Sequence, residues 1–225
     1  MSEIIEWICV ARSRKNRGYC LAILDVERRR VFRILSSNIA RTDGELDDKE
    51  CTLDNGKLIE NLDYVFITVK NRIPNDDLFQ KENLILENRT IKFIKKIDKN
   101  ELINIYGEKK LNAYRYIFNN IFGSMSEEEA INFPVSFIIA RVYSLDFYEA
   151  KNKNGESTCK CSFKYNQNYY KDISVTISKD KNTDIMFYAG KHYPNALVCF
   201  SFGHPYEGRC FKYLCSFLGY WIYRR

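Results

Sequence analysis

The sequence predicts a mainly β protein, a β-rich α+β chain of two β units joined by a short helical connector. Three observations carry this. Short apolar runs bounded by turn signals recur over residues 1–97 and again over 134–225. The composition holds 16 Tyr and 15 Phe among 45% hydrophobic residues, a richness in rings that favours sheet over helix. Helical spacing is confined to about 98–133. At 225 residues the chain exceeds the usual single-domain size, so two units of about 100 residues each are expected.

The first unit opens on a meander. Apolar runs Ile4 to Val10 and Tyr19 to Val26 flank the basic turn Ser13-Arg14-Lys15-Asn16-Arg17-Gly18, and Val31 to Leu35 follows a second basic turn, Arg28-Arg29-Arg30. Ser36 to Asn61 is polar and acidic, with the turn signal Asp54-Asn55-Gly56, and reads as a long loop. Tyr64 to Val69 returns as a strand, and Asn83 to Ile97 reads as two short strands with a turn near Asn88.

From Asp98 the period changes. Asp98 reads as an N-cap and Gly107 as a C-cap, and Leu111, Tyr114, Ile117, Phe118, Ile121 and Phe122 fall at helical spacing. Ser126 to Glu129 has the spacing of a capping box before one more short turn of helix. The second unit then reads as strands at Val135 to Tyr143, Leu145 to Ala150, Cys159 to Tyr165, Ile173 to Ile177, Ile185 to Tyr188, Leu197 to Phe202 and Phe211 to Tyr223. Alternation in Cys159 to Tyr165 puts Cys159, Cys161, Phe163 and Tyr165 on one face and the lysines on the other.

The net charge of +6 allows an anionic partner without demanding one. Its distribution is uneven: residues 12–41 hold nine basic side chains against Asp25 and Glu27, whereas 43–60 hold seven acids against Lys49 and Lys57. The N-terminus lacks the cationic start and apolar run of a secretory signal, and no segment reaches the roughly 18 apolar residues that span a bilayer, so no membrane partner is expected. Eight Cys without such a signal read as reduced thiols of a cytoplasmic protein.

Ser13-Arg14-Lys15, Gly18 and Cys20-Leu21-Ala22, followed by a strand centred on Arg33 and ending at Ser36, resemble the start of the bacterial dual OB-containing domain family. Glu82-Asn83, Phe163-Lys164-Tyr165-Asn166 with Tyr169 and Thr176, and Ser201-Phe202-Gly203-His204-Pro205 with Lys212 extend the resemblance over nearly the whole chain. Phe32 and Ile34 depart from the family pattern, which tends to a Trp before and a Pro after the arginine. The resemblance implies two OB-like β-barrels, at 1–97 and 134–225, with the connector at 98–133. It names no substrate.

An OB barrel binds single strands by combining a cationic groove with aromatic platforms. Arg14, Lys15, Arg17, Tyr19, Phe32, Arg33 and Phe66 supply both along the N-terminal sheet, although a charged turn is also what a solvated hairpin tip looks like. His204, between the last two strands, is a candidate ligand contact beside a purely structural role. The Cys199, His204, Cys210 and Cys215 set lacks the short C-x2-C chelate of structural zinc, so no metal is expected. Cys159 and Cys161 read as core thiols, and neither a thiol nucleophile with an oriented imidazole nor a phosphate-binding loop is present. The chain therefore reads as a non-catalytic binding module without cofactors, contacting single-stranded DNA or RNA through its basic N-terminal sheet. The alternative is an adaptor or sensor that binds a protein or small molecule in a bacterial defence or regulatory system.

Overall fold

The computed structural model describes residues 3–15, 18–38, 44–71, 77–87, 90–177 and 185–221. The chain divides into two compact units, Met1–Gly107 and Glu108–Arg225.

In the first unit the meander forms as β1 (Glu3–Lys15), β2 (Gly18–Asp25) and β3 (Arg30–Leu35), followed by β4 (Asp63–Asn71), β5 (Asn83–Leu86) and β6 (Lys92–Lys96). Five of these close a ring, β1-β2-β3-β5-β4 and back to β1, with β6 added outside β4. The β3–β5 pairing is parallel, Arg33 opposite Asn83 and Leu35 opposite Ile85, and the other pairings are antiparallel. A bulge between Cys9 and Ala11 bends β1, so that Trp7 and Ile8 pair with β2 on one edge and β4 on the other.

The stretch expected as a long acidic loop contributes to the core. Leu46, Cys51, Leu53 and Ile59 are buried against Trp7, Leu21, Ile23, Ile34, Val65 and Ile67. Each such side chain contributes about 1.5–3 kcal/mol on leaving water, more than a loop's polar composition predicts. Tyr19 and Leu46 exchange backbone hydrogen bonds of 2.8 and 2.9 Å. Gly18 permits this approach, since a Cβ there would lie 2.3 Å from the Leu46 carbonyl oxygen. Buried Glu50 accepts from Ser36 Oγ at 2.5 Å and from the Asp47 N–H at 3.0 Å. Helix α1 (Lys99–Tyr106) ends the unit, with Asp98 accepting from the Asn100 and Glu101 N–H groups and Gly107 as its C-cap.

The second unit repeats the ring. Its strands are β7 (Ser124–Ser126), β8 (Phe137–Lys151), β9 (Ser157–Tyr165), β10 (Asn168–Val175), β11 (His192–Phe202) and β12 (Arg209–Tyr220), with α2 (Glu127–Asn132) between β7 and β8. The order β8-β9-β10-β12-β11 closes back on β8, again with one parallel pairing, Ser174 opposite Tyr213 and Val175 opposite Leu214. The two strands expected at Val135 to Tyr143 and Leu145 to Ala150 are one, irregular at Ser144 where φ is 48°. Ile185–Tyr188 is a 3-10 turn rather than a strand. Ser126 and Glu129 form the expected capping box of α2.

The periodicity from Leu111 to Phe122 is not an α-helix. Two 3-10 turns, Glu108–Asn112 and Ile117–Asn119, stand there, with φ of 51° at Phe118 and 69° at Asn119. The carbonyls that a helix would use internally are taken from outside. Asn166 Nδ2 donates to Asn112 O and Tyr114 O, and Lys212 Nζ donates to Ile117 O and Asn120 O. Tertiary hydrogen bonds override a weak local preference. Among the described residues no helix is long and apolar enough to cross a membrane.

Candidate nucleic-acid interface

The β2–β3 hairpin of the first barrel is strongly cationic. Buried Asp25 accepts the Arg28 N–H at 2.7 Å, and Arg29 takes a left-handed φ of 53°. This turn holds Glu27, Arg28, Arg29 and Arg30 in solvent. The Arg30 guanidinium lies 5.6 Å from the centre of the Phe32 ring, which meets Trp7 edge-on at 5.8 Å. Phe32 is thus a half-buried ring with a fixed orientation and a cation over it.

The residues singled out in the sequence are distributed unevenly. Arg14 and Lys15 end β1, with side chains outside the described residues, as is Arg17 altogether. Tyr19 is buried in the core with Arg12 5.2 Å from its ring centre. Arg33 is buried too, its Nη1 2.7 Å from Cys20 Sγ. Phe32 and Phe66 remain half-exposed, Phe66 opposite Glu6 and Lys92 on β4. Tyr19 and Arg33 are therefore buried, and Phe32 and Phe66 are half-exposed, with Phe32 packed against the core.

His204 is exposed in the β11–β12 loop. Tyr206 and Glu207 of that loop meet Lys153 of the β8–β9 loop, its ammonium 5.8 Å from the Tyr206 ring centre and 3.3 Å from Glu207 Oε2. Cys199 is buried in β11, and Cys215 Sγ donates to Cys199 O at 3.2 Å. A bulge where Cys199 and Phe200 pair with Ser216 and Leu214 sets Cys215 inward, so it shares the interior with Cys210. His204 lies apart from these thiols in burial, and among the described residues no three His, Cys, Asp or Glu gather as a metal requires. All eight thiols are unbridged. Burial pushes the Cys51 thiol up to about 12 and the Cys210 thiol to about 11, with Cys9 and Cys161 also raised.

The second barrel carries a further surface, outside the residues that the sequence marks as binding candidates. Tyr143 on β8 stands opposite Lys164 on β9, and Lys164 opposite Tyr169 on β10. All three are exposed. Lys212, by contrast, is wholly interior: its ammonium has three acceptors, Ile117 O at 2.6 Å, Asn120 O at 2.7 Å and Asn120 Oδ1 at 2.8 Å. Those three acceptors match its three N–H bonds. Burial lowers its pKa to about 7, the Glu129 carboxylate opposing.

The family model described as a dual OB-containing domain matches residues 5–216, spanning both closed rings. The chain belongs to the dual OB-containing domain family. Within this dual OB chain the Lys212 side chain, part of the sequence resemblance, is a structural clamp on the segment before β7. No curated protein matches the chain. Two solved structures are similar in shape. One, titled "Structural mimicry for functional antagonism", has a TM-score of 0.34 and 9% identity over 94% of this chain and 90% of its own. The other, the Ifi202 HINa domain in complex with a 20-bp double-stranded DNA, has a TM-score of 0.33 and 11% identity over 95% and 94%. At these TM-scores neither likeness bears on function.

Proposed function

We propose that this dual OB chain is a non-catalytic module that binds single-stranded nucleic acid along its basic N-terminal sheet. The observation that carries the reading is the exposed arginine hairpin on β2 and β3 with Arg30 over the Phe32 ring. In OB folds the face of the second and third strands, with the loop joining the first two, is where strands of nucleic acid lie. The hairpin lies on those strands, and Arg14 and Lys15 end β1 where that loop begins, with Arg17 following in the sequence. Cations hold the phosphates and an aromatic face takes a base.

The test replaces Arg14, Lys15 and Arg17 together by Glu and titrates labelled single-stranded DNA and RNA at several salt concentrations. Binding weakens and its salt slope falls while the fold survives, because the core positions Leu21 and Ile23 are untouched. Unchanged binding by this variant contradicts the N-terminal contact. A second reading, an adaptor for a protein partner, is favoured by one feature: Ile121 and Phe122 stand exposed, Phe122 at 64%, in the loop that Lys212 clamps. A stoichiometric co-purifying protein lost on Phe122→Ser would put the adaptor first.

A further inference from the structure

We propose that the second barrel has its own strand-binding platform, formed by Tyr143, Lys164 and Tyr169 on the outer face of β8, β9 and β10. This rests on the single-strand reading above but assigns a separate site. Directly opposed residues share a face of the sheet, and neighbouring strands lie about 4.8 Å apart. The strands that carry the two rings are therefore about 9.5 Å apart, with the backbone of Lys164 between them. Tyr143 is 41% and Tyr169 53% exposed. Among the described residues no hydrogen bond, ion pair or ring contact engages the side chain of any of the three.

Their neighbours are engaged. Tyr148 Oη donates to Asp172 Oδ1 at 2.9 Å, and Tyr170 Oη accepts the Ile117 N–H at 2.9 Å. The acids near the row are engaged as well, Asp172 by Tyr148 and Asp146 by His192 at 2.6 Å. Positive charge continues along the face. Lys160 stands four residues before Lys164, about 13 Å away on the same side of β9. Arg115 is held beside the β9–β10 turn by Asn168 Nδ2, which donates to Arg115 O at 3.3 Å.

The arrangement fits an unpaired nucleic-acid strand. Two bases stack on the rings, and the phosphate joining them meets Lys164. It does not fit a peptide added as an extra strand, because β9 is hydrogen-bonded to β8 on one side and β10 on the other and presents no free edge.

The experiment uses the full chain and an oligothymidylate of about 10 nucleotides carrying 4-thiothymidine, within the site size of an OB fold. Photo-crosslinks are located by mass spectrometry. Crosslinks in the peptides of residues 137–175 are expected. Tyr143→Ala and Tyr169→Ala should each weaken binding about 5- to 150-fold, and the matching Phe variants should restore it, since stacking needs the ring and not the hydroxyl. Lys164→Ala should reduce the salt slope by about 0.7. Crosslinks confined to residues 1–107, with the Tyr variants binding as wild type, would overturn this site and leave the N-terminal one standing. Absence of wild-type binding at the lowest salt would overturn both.

Discussion

The first barrel packs mostly aliphatic side chains around one indole, whereas the second packs a set of stacked and edge-on rings among its aliphatic side chains. In the first, Leu21, Ile23, Ile34, Val65, Ile67 and Leu84 surround Trp7. In the second, Phe163 stacks on Tyr170 at 4.9 Å and 8°, leans on Phe200 at 4.9 Å, and Phe118 meets Phe202 edge-on at 5.0 Å. The strand order of the two rings is nevertheless the same, parallel pairing included. Ring order is thus set by strand pairing and turn geometry, and the interior is free to use whatever volumes fill it. The stabilising segments differ as well. The first barrel takes apolar residues from a single β3–β4 connection, and the second holds a strained preceding segment with a buried lysine.

This contrast predicts unequal responses to truncation. Phe163→Ala removes a ring that stacks on Tyr170 and leans on Phe200 and should cost about 3–5 kcal/mol, while Ile23→Val in the first barrel should cost about 1 kcal/mol. Hydrogen exchange during denaturation would show protection lost over β8 to β12 first. Equal loss in both units on Phe163→Ala would mean that they unfold as one body.

Lys212→Met should cost about 2–4 kcal/mol, because Ile117 O and Asn120 O lose their donors. It should also alter the pH profile. The native pKa of Lys212 is about 7 against 10.5 unperturbed, so above pH 7 the unfolded state holds more protons and stability rises with pH. The window to measure is about pH 7 to 8.5, below the ordinary thiol value of 9.0, since the raised thiols of Cys9 and Cys51 act in the opposite sense above it. Wild type should gain stability across that window and the Met variant should not. A parallel rise in both would remove Lys212 as the cause. Ser126→Ala, which deletes the cap of α2, should cost only about 1 kcal/mol by the same denaturation assay and leave β1 to β6 unaffected. A loss several times larger would mean that α2 supports more than its own turn.

Much of the fold was legible because its signals are local. Alternation around Phe163 and the caps at Asp98 and Ser126 are written within a few residues. What was not legible depends on distant partners. The acidic stretch buries Leu46 and Ile59 because the barrel offers them a place, and the 111–122 periodicity yields to donors from Asn166 and Lys212. The interface shows the same division. Charge and ring content pointed to Arg14 and Phe32, but composition cannot tell an exposed arginine from one buried against Cys20, as Arg33 is. Tyr143, Lys164 and Tyr169 become neighbours only through the register of three strands. The family resemblance did include Lys164 and Tyr169, without a role.

If the chain holds an unpaired nucleic-acid strand by phosphate contacts and stacking, its affinity must fall with salt. The most direct measurement is a titration of labelled single-stranded DNA and RNA with the full chain between about 50 and 200 mM salt. Binding should weaken linearly on a logarithmic scale, by about 0.7 in slope for each phosphate contacted, with a matching duplex bound more weakly. No binding at the lowest salt, or an affinity indifferent to salt, would contradict single-strand binding by this chain.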